Sequence, residues 1–145
     1  MIFEPPYSVV IIDDDPEIIN IMTLVLNTKY PDIFKINPYT KFSTGFEFIS
    51  KNEINIVFVD LNLLDIDGIT GIEKIRELHK RCQIVAFSGD HELNTILTCY
   101  ESGADLFMRK PINKEGLGAV VDKCIAPFES WYNLIQEVSA KKDSK

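Results

Sequence analysis

The feature that most limits how this chain can fold is a regular alternation of two hydrophobic periodicities. Runs rich in β-branched and aromatic residues are separated by segments with apolar residues three and four positions apart, such as Ile18, Met22 and Val25. The predicted strands are Ser8–Ile12, Ile33–Tyr39, Ile54–Val59, Gln83–Phe87 and Asp105–Met108. The predicted helices are Pro16–Asn27, Ser43–Lys51, Ile69–His79, Glu92–Glu101 and Lys114–Ile125.

This alternation predicts an α/β fold built on one parallel sheet. The run Ile54–Val59 is almost entirely apolar, which is typical of a central strand covered on both faces. Strands that alternate with helices form right-handed crossover units, and these produce a doubly wound sheet. We therefore expect a doubly wound five-stranded parallel sheet, for which we assume the strand order 2-1-3-4-5.

Composition excludes several classes of function. The 145 residues suit one domain, and the formal net charge of −7 disfavours direct binding to a nucleic acid backbone. No apolar run approaches the ~20 residues of a membrane span, and the amino terminus lacks the pattern of a secretory signal, so a cytoplasmic location is expected. Cys82, Cys99 and Cys124 have neither disulfide-framework nor metal-site spacing, and we expect them to be buried thiols.

Polar residues follow the predicted strands at their carboxyl ends, where parallel sheets bind ligands. The first strand leads into Asp13-Asp14-Asp15-Pro16, and the third ends at Asp60, with Asn62 two residues later. Ser88-Gly89 follows the fourth strand and Lys110-Pro111 the fifth. Helix capping accounts for Asp15 before Pro16, but it does not account for the other aspartates.

In the order 2-1-3-4-5 the first and third strands are neighbours, so Asp13, Asp14 and Asp60 should converge. Three carboxylates so close together repel one another, and oxygen ligands of this kind favour Mg²⁺. Lys110 would add a compensating positive charge. A carboxylate beside a cation, a lysine and a hydroxyl is arranged to attack a phosphoryl group, and Asp60 is the candidate nucleophile.

These residues resemble the receiver domains of two-component response regulators, in particular the stand-alone, chemotaxis-regulator-like members. The resemblance covers about Tyr7–Ala126 and implies a flavodoxin-like (α/β)5 fold, with residues 1–126 as the receiver and residues 127–145 as a helical extension or tail. It depends on five signals in the same order as in that family: Asp13-Asp14, Val59-Asp60-Leu61-Asn62, Asp67-Gly68, Ser88-Gly89 and Phe107-Met108-Arg109-Lys110-Pro111.

The resemblance implies a phosphoacceptor site with a bound Mg²⁺. Asp60 corresponds to the phosphoacceptor, Asp14 to a direct metal ligand, and Asp13 to a ligand through water. The main-chain carbonyl of Asn62 corresponds to a further metal ligand.

The remaining motif residues correspond to the switching apparatus of that family. Ser88 and Lys110 would each bind a phosphoryl oxygen, and Phe107 would be an aromatic switch that moves inward with Ser88. Two positions depart from the family pattern: Leu64 stands where proline is usual, and Phe107 lacks the hydroxyl of a tyrosine.

The function implied is phosphorelay signalling. A histidine kinase or histidine phosphotransfer protein would supply the phosphoryl group, so the chain would be a stoichiometric acceptor rather than an ordinary enzyme. We expect no output domain after Ile125, and we expect a downstream protein target contacted through the fourth helix, fifth strand and fifth helix.

Two alternatives belong to other classes of protein. A small aspartyl-phosphate phosphatase of the haloacid dehalogenase type would need threonine or valine where Glu17 stands, and room for a cap domain. A receiver-like interaction module working without phosphorylation would not need the full set of site residues.

The tail contains an apolar repeat with alternating spacings of four and three, the pattern of a coiled-coil seam. Two interpretations are open. The fifth helix can continue and pair with a partner or a second copy, giving a possible homodimer, or it can break at Ala126–Pro127 and fold a separate helix back onto the domain. The residues of the repeat are Leu117, Val121, Cys124, Phe128, Trp131, Ile135 and Val138.

Overall fold

A computed structural model describes residues 2–78, 81–90 and 92–143. Strands and helices alternate along the chain as predicted, and most boundaries agree within two residues. The third predicted helix was extended to His79, which lies outside the described residues. The elements are β1 (Tyr7–Ile12), α1 (Pro16–Lys29), β2 (Phe34–Tyr39), α2 (Phe42–Lys51), β3 (Ile56–Asp60), α3 (Gly68–Leu78), β4 (Gln83–Ser88), α4 (Leu93–Ser102), β5 (Leu106–Arg109) and α5 (Lys114–Asp143).

The five strands form one parallel sheet in the order β2-β1-β3-β4-β5, which confirms the predicted topology. In its register, Val59 lies opposite Ile12, Asp60 lies opposite Phe87, and Ser88 lies opposite Arg109. The residues that follow β1, β3, β4 and β5 therefore lie along one edge of the sheet.

Each face of the sheet has its own hydrophobic core. Met22 of α1 and Val121 of α5 pack on one face, and Ile49 of α2 and Ile72 of α3 pack on the other. All five residues of β3 are buried, because this strand is covered from both sides. The site edge thus belongs to a sheet that is packed on both faces.

Gly68, the first residue of α3, lies directly against the end of β3. A Cβ atom at this position would lie 2.4 Å from the Cα of Leu61 and 2.7 Å from the carbonyl oxygen of Asp60. The Gly68 N–H donates a hydrogen bond of 3.2 Å to the Leu61 carbonyl. Glycine at this position therefore lets the helix approach the backbone that carries Asp60.

The last helix, α5, continues through Pro127 as one helix of 30 residues. The break considered at Ala126–Pro127 does not occur. Pro127 is exposed, so its ring faces solvent, and water can bind the carbonyl that lacks its helical partner. Phe128 is the last fully buried residue of the helix, whereas Trp131 is 53% exposed and contacts Phe3 with ring centroids 6.2 Å apart.

Within residues 2–78, 81–90 and 92–143, none of the helices combines the length and the apolar character needed to cross a membrane.

Candidate functional site

Three aspartates meet at the carboxyl edge of the sheet. Asp13 follows β1, Asp14 comes next, and Asp60 ends β3; a carboxylate oxygen from each lies within 4.8 Å of the other two. Asp13 and Asp60 are buried, and Asp14 is partly exposed. The neighbouring positions of β1 and β3 bring these residues together, as the sequence predicted. The arrangement offers a cluster of oxygen ligands, one of which is open to solvent.

Lys110 places a positive charge between two of these carboxylates. Its Nζ lies 3.2 Å from Oδ2 of Asp13 and 3.3 Å from Oδ2 of Asp60. Burial lowers the pKa of this ammonium, but the negative charges of Asp60 and Asp13 outweigh burial and raise it overall. Lys110 is therefore a charged group at the pH of the cell.

Burial is also the largest influence on Asp13, raising the pKa of its carboxyl to about 6, and the charge of Asp60 acts in the same direction. Hydrogen bonds oppose this effect in part, because the Asp15 N–H donates to Oδ1 of Asp13 at 2.8 Å and Lys110 donates to Oδ2. Asp15 itself caps α1, accepting from the Glu17 N–H at 2.9 Å. The capping role predicted for Asp15 is thus observed, and it is separate from the cluster.

Ser88 and Asn62 lie beside the cluster on two neighbouring connections. Ser88 is buried at the end of β4, and its Oγ accepts a hydrogen bond of 3.0 Å from the Asp90 N–H. The Asn62 N–H donates to Oδ1 of Asp60 at 3.1 Å. An isolated antiparallel bridge between Asn62 and Asp67 closes the loop after β3. The loop backbone therefore holds the Asp60 carboxylate directly.

Phe107 lies on β5 opposite Ala86 and is half-buried. It borders a cavity of about 230 Å³ between α4 and β5, together with Ile96 and Tyr100. The side chain thus lies between the core and the exposed surface of α4. Among the site residues named from the sequence, Phe107 is the one placed at this surface rather than in the cluster.

Two contributors to the site were missed in the sequence. Phe87 lies beneath Lys110, with Nζ 5.1 Å from the ring centroid, an arrangement that adds a cation–π attraction. The sequence could have indicated this role of Phe87, because Phe87 comes immediately before Ser88 on a strand that neighbours β5.

The second is Asp65, in the loop after β3. Its carboxylate accepts from the Phe42 N–H at 3.1 Å and the Ser43 N–H at 3.0 Å, so it caps α2, whose own cap residue Lys41 makes no side-chain cap bond. Burial raises the pKa of Asp65, but these hydrogen bonds outweigh it and lower the pKa overall. No local signal identifies a cap contributed from another loop. Leu64, in the same loop, is 90% exposed.

Comparison with known proteins identifies related chains. The model of the response regulator receiver domain family matches residues 9–122. The regulatory protein VanR of Enterococcus faecium is 32% identical over 104 residues, which is 72% of this chain and 43% of that protein. The nitrate/nitrite response regulator protein NarL of Escherichia coli K12 is 25% identical over 114 residues, 79% of this chain and 52% of that protein. The chain spans about half the length of these curated relatives.

Solved structures give the same result for the fold. A CheY-like response regulator receiver domain protein from Methanospirillum hungatei superposes with a TM-score of 0.78 at 21% identity, covering 86% of this chain and 97% of that one. A two-component response regulator from Clostridium difficile superposes with a TM-score of 0.76 at 28% identity, covering 82% of this chain and 95% of that one.

Proposed function

The chain belongs to the response regulator receiver domain family, and from this premise we propose that it accepts a phosphoryl group on Asp60. The donor would be the phosphohistidine of a histidine kinase or of a histidine phosphotransfer protein. The observation that carries the proposal is the position of Asp60, which is 2% exposed and lies 3.3 Å from Lys110 within a cluster of three aspartates. The family resemblance drawn from the sequence is confirmed.

Receiver domains bind a divalent metal in their acidic pocket, and the donors here are the oxygens that Mg²⁺ prefers. In this proposal Asp14 and Asp60 hold the ion directly, Asp13 holds it through water, and the main-chain carbonyl of Asn62 completes the protein ligands. When bound, Mg²⁺ supplies positive charge that offsets the repulsion among the carboxylates and stabilises the phosphoryl oxygens.

Phosphoryl transfer then needs one nucleophile and two groups that bind oxygen. An Oδ of Asp60 forms a bond to phosphorus while the bond from phosphorus to the donor imidazole breaks, and the imidazole nitrogen leaves with the electron pair of that bond. Lys110 pairs with one equatorial oxygen and the Ser88 hydroxyl donates to another. Lys110 is already held beside Asp60, so little rearrangement is required.

We infer that the phosphorylated site acts on other proteins through the surface around α4, β5 and α5. A phosphoryl oxygen that attracts Ser88 would leave space for Phe107 to turn inward, toward the core side of the cavity it borders. In this role the chain is a stoichiometric acceptor in the cytoplasm, and its output is contact with a downstream protein target.

The test is intact-mass measurement after incubation with acetyl phosphate and Mg²⁺. Wild type should gain the mass of one phosphoryl group, and Asp60→Asn should gain none. Asp67→Asn, which removes an exposed carboxylate from the same loop, is the matched control and should still gain one. A gain that persists in Asp60→Asn, or in the presence of a chelator, would contradict the proposal. Continuous turnover of a small phosphomonoester would instead favour a phosphatase.

A further inference from the structure

The carboxyl-terminal part of α5 carries an exposed apolar surface, which we call the α5 stripe: Trp131, Leu134, Ile135 and Val138. Trp131, Leu134 and Val138 are 53%, 48% and 57% exposed, and Ile135 is half-buried. An apolar stripe on the exposed part of a helix indicates a surface that packs against another element, and its helical spacing suits a second helix.

The stripe continues a repeat that begins inside the domain. Leu117, Val121, Cys124 and Phe128 are buried against the sheet. Trp131, Ile135 and Val138 follow at the same alternating spacing on the same unbroken helix, where Trp131 and Val138 are exposed and Ile135 is half-buried. The spacing is that of a coiled-coil seam, in which the next position is Lys142. The same face of α5 thus packs on the sheet first and is then available to a second helix.

We propose that two copies of this chain associate through the α5 stripe as an antiparallel pair of helices. Charge selects this orientation, because a parallel pair would place Lys142 against the Lys142 of the second copy. In the antiparallel pair Ile135 faces the second copy's Val138, and Trp131 faces the second copy's Lys142. The Lys142 ammonium can then lie over the indole ring, an attractive arrangement. The contact is self-complementary, as a two-fold interface requires.

A groove beside the stripe supports the same arrangement. It has a volume of about 600 Å³ and lies between the amino-terminal segment and α5, with Phe3 and Arg81 among its lining residues. In the antiparallel pair the second copy's helix runs toward the amino-terminal end of the stripe, where this groove lies. If Trp131 faces the second copy's Lys142, the next residue of that helix, Asp143, is therefore nearer to the groove. Arg81 is exposed there and offers the opposite charge. The seam spans only about two heptads, so we expect a micromolar rather than a nanomolar dissociation constant.

Sedimentation equilibrium of the full chain tests the surface, without any phosphodonor, so that the result is independent of the chemistry at Asp60. Wild type should be dimeric at high micromolar concentration. Val138→Asp should weaken association at least tenfold, whereas Ala140→Asp, which adds the same charge to an exposed position away from the seam, should not. Both variants change exposed positions, so neither should disturb the fold. A monomeric wild type, a Val138→Asp variant that associates as tightly as wild type, or an Ala140→Asp variant whose association is weakened tenfold would each overturn the proposal.

Oxidative cross-linking tests the orientation, because the three natural cysteines are buried and do not compete. In an antiparallel pair, two copies of Trp131→Cys, which keep the Lys142 charge that selects the orientation, hold their new thiols at opposite ends of the seam, so no disulfide-linked dimer should form. Mixing Lys142→Cys with Trp131→Cys should give the linked heterodimer. A self-linked Trp131→Cys dimer would show a parallel pair and overturn the proposed arrangement, as would failure of the mixture to link.

Discussion

At the scale of single residues, the buried carboxylates of the site lower the stability of the folded protein. Asp13 is fully buried beside Asp60, and one lysine serves both carboxylates. An ionised carboxylate without water is destabilising unless its hydrogen bonds and ion pairs compensate fully. The raised pKa of Asp13, about 6, shows that this compensation is incomplete. The cluster is therefore a source of strain in the metal-free protein.

Replacing Asp13 with Asn should stabilise the metal-free protein. The folded state raises the pKa of Asp13 from 3.8 to about 6, so it disfavours the carboxylate form. This destabilisation is absent below the unfolded pKa, grows between the two values, and is complete above pH of about 6. Urea unfolding with a chelator at pH 8 should show a gain of ~2–3 kcal/mol for Asp13→Asn, because the pKa rises by about two and each pKa unit corresponds to ~1.4 kcal/mol.

The control for this experiment is Glu73→Gln, which removes one exposed negative charge from α3. It should change the free energy of unfolding by less than ~0.5 kcal/mol. An Asp13→Asn gain that is as large at pH 3 as at pH 8 would contradict the electrostatic explanation.

At the scale of the elements, the contact between α3 and β3 sets the position of Asp60. Gly68→Ala would force a Cβ to within 2.4 Å of backbone, and backbone cannot yield as a side chain can. We expect Gly68→Ala to lower the free energy of unfolding by ~1–3 kcal/mol, as overpacking does. Gly89→Ala is the matched control, since its added Cβ would meet nothing within 4 Å. Urea midpoints measure both, and equal midpoints for the two variants would contradict the steric argument.

The elements also show how far the sequence could be interpreted alone. The strands followed from hydrophobic periodicity, whereas their order was assumed for a sheet of this type. With that order, the polar residues at the strand ends predicted the cluster, because a parallel sheet places those ends together. Contacts between distant segments had no such signal. Asp65 caps α2 from 22 residues away at Ser43, and the passage of α5 through Pro127 depends on which side of the helix faces solvent. Hydrophobic periodicity predicts which face of a helix or strand is buried. It does not predict which side chain of a distant segment contacts that element.

At the scale of the whole molecule, the three natural cysteines are distributed between the two hydrophobic cores. Cys82 and Cys99 belong to the core under α2, α3 and α4, and Cys124 belongs to the core under α1 and α5. Burial raises the pKa of the Cys82 thiol to about 11 and that of Cys124 to about 12, and it also raises the pKa of Cys99. In the folded protein the thiols are therefore both inaccessible and protonated at neutral pH.

Thiol labelling should consequently report global unfolding. Pulse labelling at pH 8 in intermediate urea should yield molecules with either no label or three, because both cores share the central strands and should unfold together. Mass spectrometry counts the labels. Lys142→Cys should add one rapidly reacting thiol and leave the other three protected. A species with only Cys124 labelled would show instead that the two cores open separately.

The register of the sheet has a consequence for how the quality of a preparation can be judged. Four parallel strands each contribute to the site, and a slip of one residue in any strand would turn its side chains to the opposite face. Molecules trapped in a wrong register can be compact and well ordered and still lack a complete site. If Asp60 accepts a phosphoryl group as proposed, the fraction of a refolded sample that takes up one such group at saturation would measure the fraction of molecules with the correct strand register. Circular dichroism cannot measure this fraction, because it does not distinguish one register from another.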